Sequence, residues 1–446
     1  MKIGANNCGI YRLLFCIILL VFTSNTLAGQ TISFDQDSRE PLLEVNEPPS
    51  PADTQTIAII GARLVDGLGG SPITDSVVII KGSKIAETGT RGKVEIPEDA
   101  ERYNANGKTL MPGLIDAHYH SVNNNDALYR ILNNGITSLR DPGHPFRFYQ
   151  SLHFAEKPLP RVFLTGAHLD GYPSVYRQQA VIVKDAQHAR QTVYEHVENG
   201  GTGIKTYFNL PLKYYRTITE AASQNGIPVM AHLELVDADK AIEAGIDGIE
   251  HITSFGTALA DPEESQRYKK SLRDDYNNRR EGRFKLWASI DLHSERVQNV
   301  IKLAAEANLT ISPTLALFEH RESEDDVEDF YLKGYQNMVR FVGMAHKAGI
   351  NIIPGSHTAV RYADSGWAYQ REMEVLVEAG MSPMDVIISS TMGNARYFRT
   401  EKRLGSIEPG KLADLLIIDG DPLKDITSML NIDRVMLNGE WVGASL

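Results

Sequence analysis

The sequence predicts an α/β fold, a TIM (β/α)8 barrel with a small β-sandwich built from both chain ends. Three observations carry this. Strand-like and helix-like segments alternate through the middle of the chain, which implies βαβ units and a parallel barrel. The segments on either side are β-rich and punctuated by turn signals, as though one small domain took strands from both ends. Several histidines fall near the C-terminal ends of the candidate barrel strands, the face where barrel enzymes place catalysis. A chain of 446 residues is long enough for one large domain and a smaller one.

At the start of the chain, Lys2 and Arg12 flank or precede an apolar run from Leu13 to Phe22, followed by polar Thr23-Ser-Asn and then Thr26-Leu-Ala28. Residues 1–28 read as a secretory signal peptide cleaved after Ala28, with an apolar core too short for a comfortable membrane span; a retained anchor is the alternative. The expected protein is therefore exported, periplasmic or secreted, with no stable membrane insertion after cleavage. Both cysteines, Cys8 and Cys16, lie in this segment, so the mature chain has neither disulfides nor thiolate chemistry. Any metal must be held by histidine, carboxylate or something less usual. Removing Lys2 and Arg12 takes the formal charge from −12 to −14. Such an acidic chain is a poor nucleic-acid binder and gains nothing at an anionic membrane.

Residues 29–55 are rich in Pro, Asp and Ser and read as a disordered leader. Residues 56–112 hold Thr56-Ile-Ala-Ile-Ile, Ser76-Val-Val-Ile-Ile and Arg102-Tyr-Asn, the N-terminal part of the sandwich. Residues 401–446 return to that style in Ala413-Asp-Leu-Leu-Ile-Ile and Arg434-Val-Met-Leu. Between them, residues 113–400 offer eight barrel strands: Leu114 to His118, Ile136 to Arg140, Arg161 to Thr165, Gly203 to Tyr207, Pro228 to His232, Gly248 to Ile252, Leu309 to Leu315 and Ile350 to Gly355. Helical patterns at Arg216 to Asn225, Ala238 to Ala244, Glu295 to Asn308 and Tyr369 to Ala379 separate them. One connection, Asp261 to Arg283, is oversized and densely charged. It reads either as a solvated helix or loop, or as a lid over the barrel mouth.

The residues that carry chemistry begin with His118-Tyr-His120, which follows the apolar run Leu114-Ile-Asp-Ala. Side chains on a strand alternate faces, so the two imidazoles project from one side and can grip one divalent cation. An isolated His-x-His also arises by chance. Here, however, Lys205, His232 and His251 stand near the ends of the fourth, fifth and sixth candidate strands, a set that packing does not explain. His144, His168, His293 and His320 either line loops near the barrel mouth or, as the plainer reading, are surface or packing residues.

The segments Met111-Pro-Gly-Leu-Ile-Asp-Ala-His-Tyr-His, Gly135-Ile-Thr-Ser-Leu-Arg-Asp, Gly203-Ile-Lys-Thr-Tyr, Ala231-His, Ile249-Glu-His and Leu404-Gly-Ser-Ile-Glu-Pro-Gly-Lys-Leu-Ala-Asp-Leu together resemble the amidohydrolase superfamily, in its prolidase-like and imidazolonepropionase-like branch. The likeness runs from about Thr56 to the C-terminus. It implies two divalent metal ions, zinc as a rule. His118 and His120 would hold one, His232 and His251 the second, and a carboxylated Lys205 would bridge them. A neutral amine can take up carbon dioxide to become an anionic oxygen ligand, whereas an ammonium facing two cations is disfavoured. The implied reaction is attack by a hydroxide bridging the metals on the amide carbonyl of a small-molecule or dipeptide substrate, of the Xaa-Pro kind. Tyr207 shares a strand face with Lys205 and could stabilise the oxyanion; a rim-packing tyrosine is the plainer reading.

One position departs from the pattern. His357, in Pro354-Gly-Ser-His-Thr-Ala, stands where the superfamily carries the aspartate that takes the proton from water. The imidazole could act as base or ligand in a working hydrolase. Alternatively Asp364 folds in to replace the missing acid, or the chain is a hydrolytically impaired metal-binding or solute-binding protein. The oligomeric state, a homo-oligomer included, is open.

Overall fold

Ile and Val dominate Thr56–Leu64 and Ile73–Lys81, residues whose branched side chains suit a pleated, half-buried surface, and the two strands pair antiparallel. They belong to a computed structural model that describes residues 42–443. The signal peptide expected over 1–28 lies outside the described residues. Lys84–Thr90 continues the meander, and Thr109–Pro112 runs parallel to the first strand. On its other side Thr109–Pro112 pairs antiparallel with Leu415–Ile418, beyond which come Ile432–Leu437 and Glu440–Trp441. The two ends of the chain thus share one eight-stranded sheet. The sandwich expected from sequence is represented by this single sheet among the described residues.

Of the leader expected to be disordered, the described part is tethered. Val45 N–H donates to Val162 O at 2.9 Å. The Glu44 carboxylate accepts from Arg161 at 2.9 Å and from Arg403 at 2.7 Å, with Glu44 and Arg161 both buried. A buried guanidinium is costly without an anion, and Glu44 supplies one from 117 residues away. Local composition cannot reveal that partnership, which is why a Pro-rich stretch looked loose.

All eight strands expected in the middle are present, seven of them shorter and one, Ile136–Asp141, a residue longer. Seven strands form one parallel sheet in the order Ala180–Ile182, His168–Asp170, Ile204–Thr206, Val229–Ala231, Gly248–Glu250, Thr310–Ser312 and Asn351–Ile352. Leu114–Asp116, Ile136–Asp141 and Arg161–Leu164 form a second parallel sheet. Backbone hydrogen bonds link the two sheets: Ala117 N–H to Pro354 O at 3.1 Å and Thr202 N–H to Leu164 O at 2.7 Å. His168–Asp170 and Ala180–Ile182 are additions, each too short to show the two-residue period by which a strand is read from sequence.

The expected helices appear as Tyr215–Gln224, Ala238–Glu243, Glu295–Glu306 and Ala368–Glu378. Glu295–Glu306 shows why: Ser294 caps it by accepting from Val297 N–H, and Val297, Val300, Ile301 and Ala304 bury one stripe. The charged connection folds as two helices, Pro262–Asp274 and Arg279–Ser289, the first capped by Asp261 with Pro262 in its opening turn. One face is solvated; the other buries Tyr268, Lys269 and Leu272.

Candidate metal centre

His118 and His120 follow the strand Leu114–Asp116 and do face one another, Nε2 to Nε2 at 3.2 Å. His118 Nδ1 donates to Glu250 Oε2 at 2.5 Å, so its Nε2 carries a lone pair directed away from the carboxylate. Glu250 is fully buried, and its other oxygen accepts from Arg140 at 2.6 Å. The Lys205 ammonium lies 3.6 Å from that same oxygen. Three strand ends are thereby tied to one carboxylate.

The remaining histidines close around this pair. The His251 ring centroid is 4.5 Å from that of His118 and 4.6 Å from that of His232. His357 lies 4.9 Å from His120 and 5.3 Å from both His118 and His251. Its backbone N–H donates to His118 O at 2.8 Å, which brings the end of the last strand against the end of the first. Gly355 permits that approach, since a Cβ there would sit 2.5 Å from His118 Cβ. His251, Thr314, His357 and Thr358 all have positive φ, between +49° and +83°. For residues other than glycine this costs about 1–3 kcal/mol each and concentrates where function over-determines the backbone. Two of these residues also hold ligand candidates: Thr314 Oγ1 meets His251 Nδ1 at 2.7 Å, and Thr358 Oγ1 accepts from His120 N–H at 2.9 Å.

Burial decides the charge state of the cluster. It pulls His118 down to about 4 despite Glu250, His232 to about 4 despite Glu234, and His357 to about 3. Burial, with neighbouring imidazoles, also drives His120 and His251 well below the ordinary histidine range. Burial likewise lowers Lys205 to about 8, against the pull of Glu250. For Glu250 burial works the other way, but Arg140, Lys205 and His118 together hold it ionised. Five imidazoles with lone pairs to offer, three of them buried (His118, His232, His251) and two half-buried (His120, His357), are what a divalent cation needs as ligands. His232 Nε2 is buried without a hydrogen-bond partner, the nearest carboxylate oxygen (Glu234 Oε1) being 3.6 Å away. The donor set therefore fits a metal.

Among the described residues, two groups bring one potential ligand atom from each member within 4.8 Å: His118–His120–His357 and His120–Asp141–His144. His357 thus joins the strand-one pair, while Asp364 is exposed and belongs to neither group. Lys205, His232 and His251 border the cluster without entering either group.

Several residues of the site were not singled out from sequence. Glu250 had no signal beyond its place in Ile249-Glu-His. Asp141 and His144 form an i, i+3 pair across a Pro-Gly turn, which could have been noticed; His144 is part of the cluster's rim, not a bland surface residue. His168 sits in a strand, buried, with its ring 4.4 Å from Tyr207. The charged connection reaches in as well: Glu234, beside His232, accepts from Tyr268 at 2.5 Å and from Arg283 at 2.9 Å. His293 is exposed and His320 pairs with Glu324, both apart from the cluster. Tyr207 stacks edge-on to His232 at 4.7 Å, and burial raises its hydroxyl far above the ordinary tyrosine range, keeping it a proton donor.

The sequence matches the model of the amidohydrolase family over residues 109–442. A curated relative, the adenine deaminase of Mesorhizobium japonicum, is 40% identical over 63 residues, which are 14% of this chain and 9% of the relative. The chain's match thus spans about a tenth of that relative's length. A Xaa-Pro dipeptidase crystallised with methionine in its active site has a similar fold, with a TM-score of 0.66 at 21% identity over 87% of this chain and 99% of that one. The ochratoxinase of A. niger scores 0.67 at 19% identity over 87% and 96% of the two chains. Molinate hydrolase scores 0.67 at 19% identity over 88% and 95%. With most of its length matched by one family and a buried cluster of neutral imidazoles at its strand ends, the chain belongs to the amidohydrolase family of metal-dependent hydrolases acting on carbon–nitrogen bonds.

Proposed function

We propose that this protein is an exported hydrolase that cleaves the amide bond of a small substrate, a dipeptide of the Xaa-Pro kind, and that it carries two zinc ions with a carboxylated Lys205 between them. The observation that carries this reading is that ligand atoms of His118, His120 and His357 lie within 4.8 Å of one another, with the rings of His251 and His232 alongside and the imidazoles held neutral. The lowered pKa of Lys205 supports it too, since a neutral amine is the form that takes up carbon dioxide. The dipeptide class rests on the fold shared with a Xaa-Pro dipeptidase. The export rests on the N-terminal sequence. The same reading has the two parallel sheets close into a (β/α)8 barrel, which the backbone bonds between Ala117 and Pro354 and between Thr202 and Leu164 support.

Divalent ions, when bound, polarise a carbonyl and lower the pKa of water. The chain's own residues do the rest. Glu250 holds the His118 ring in the tautomer that presents Nε2, and Arg140 holds Glu250. Tyr207, protonated at every working pH, stands beside His232 as a donor to the oxygen that gains charge. His357 closes the cluster from the last strand.

The test is hydrolysis of a panel of Xaa-Pro and other dipeptides by the purified protein, before and after chelation and on adding back Zn²⁺. Turnover that disappears with the metal and returns with it is expected; a metal-replete protein that cleaves none of the panel would end the dipeptide reading. A second outcome concerns Tyr207→Phe, which should lower kcat about 10²-fold with little change in KM, as for loss of one oxyanion donor. Equal kcat values would return Tyr207 to a packing role.

A further inference from the structure

The turn after the second barrel strand carries more than its backbone requires. Asp141 is completely buried at the end of Ile136–Asp141, and Pro142-Gly143 folds the chain so that His144 returns onto it. His144 Nδ1 meets both carboxylate oxygens of Asp141, at 2.7 and 3.0 Å, and Gly143 N–H donates to one of them at 3.0 Å. The ring is held in place by stacking on Phe148 with centroids 4.9 Å apart, and Tyr149 donates to the His144 carbonyl at 3.2 Å. It stands edge-on to His120, centroids 5.3 Å apart. Three potential ligand atoms, one each from His120, Asp141 and His144, lie within 4.8 Å of one another.

Charge separates this group from the one containing His357. His118, His120 and His357 offer three imidazoles with no carboxylate among them. A dication whose ligands are all uncharged side chains gains no charge compensation from those ligands, which is costly away from water. Asp141 is the sole carboxylate in either group. His120 belongs to both, so a cation gripped by it has a neutral side and an anionic side to choose from.

We propose that His120, Asp141 and His144 hold a divalent cation at the mouth end of the cluster, Asp141 contributing the negative charge that His357 does not. The inference rests on the metal-dependent reading of the cluster and changes its ligands: the ion on the strand-one side leans toward the second strand, not the eighth. Asp141 then brings to the ion the negative charge that an aspartate at position 357 would bring.

Co²⁺ reports on this directly, through its d–d absorption, without any substrate. Metal-free protein is titrated with Co²⁺ and the bound metal counted by elemental analysis, for the parent and for Asp141→Asn, His144→Gln and His232→Ala. Asp141→Asn and His144→Gln are each expected to weaken one Co²⁺ site by at least about tenfold and to alter its spectrum. Parent-like titrations of both would overturn the proposal. Because Asp141 is buried, its variant could fail to fold; thermal unfolding of the metal-free forms checks this, and His144→Gln, at the rim, then decides alone. His232→Ala separates the two readings. If it leaves Co²⁺ binding unchanged while His144→Gln weakens it, the second ion of the proposed function falls and the site at Asp141 stands.

Discussion

Replacing His357 by alanine is expected to lower amide hydrolysis by about 10²–10⁴-fold, the range over which a positioned acid–base group contributes. The expectation comes from where the ring sits. It packs 4.9 Å from His120 and 5.3 Å from His118, its backbone is strained at φ +55°, and its own N–H is bonded to His118 O. Nothing in packing alone asks for an imidazole there, beside the three imidazoles of His118, His120 and His251. The steady-state parameters of parent, His357→Ala and His357→Asp test it. Loss in the alanine variant assigns His357 a part in turnover. An alanine variant as fast as the parent makes it a bystander, and a silent parent that gains hydrolysis as His357→Asp marks the native chain as hydrolytically impaired.

Glu250→Ala is expected to cost about 3–5 kcal/mol of stability, the cost of breaking a buried ion pair by removing one partner. Arg140 and Glu250 are both buried, 2.6 Å apart, and Arg140 has no other carboxylate at hydrogen-bond distance among the described residues. Alanine would leave that guanidinium charged and unpaired, the Lys205 ammonium without its nearest anion, and the His118 Nδ1–H without an acceptor. Urea unfolding of the parent and the variant measures the difference. Glu250→Gln, which keeps the shape and one acceptor, should cost less than alanine. A loss below about 1 kcal/mol in the alanine variant would mean that the three donors find other partners or water, and that Glu250 is not the tie between strands described above.

How much was legible in the chain follows from the range of the interactions. Ser294 followed by a 3.6-residue apolar stripe announces a helix, and the helix is there, because caps and amphipathic faces are local. His118-Tyr-His120 announced two imidazoles on one side of a strand, because alternation is also local, and Lys205, His232 and His251 were placed at strand ends by the same rule. The single eight-stranded sheet was half legible: both ends looked β-rich, but the pairing of Thr109–Pro112 with Leu415–Ile418 joins residues some 300 apart. The tether of the leader through Glu44 is illegible for the same reason, its partners Arg161 and Arg403 being distant in sequence.

The family, the alternating α/β order, the histidines at the strand ends and the anomaly at position 357 are all legible along the chain. That Glu250 joins His118, Arg140 and Lys205, that Asp364 stays in solvent, and that Asp141 and His144 stand against His120 emerge once the chain is folded. The physical reason is that charge compensation in a buried site is settled by distance in space. Periodicity along the chain carries which face a residue takes; it does not carry which carboxylate, three strands away, will be there to meet it.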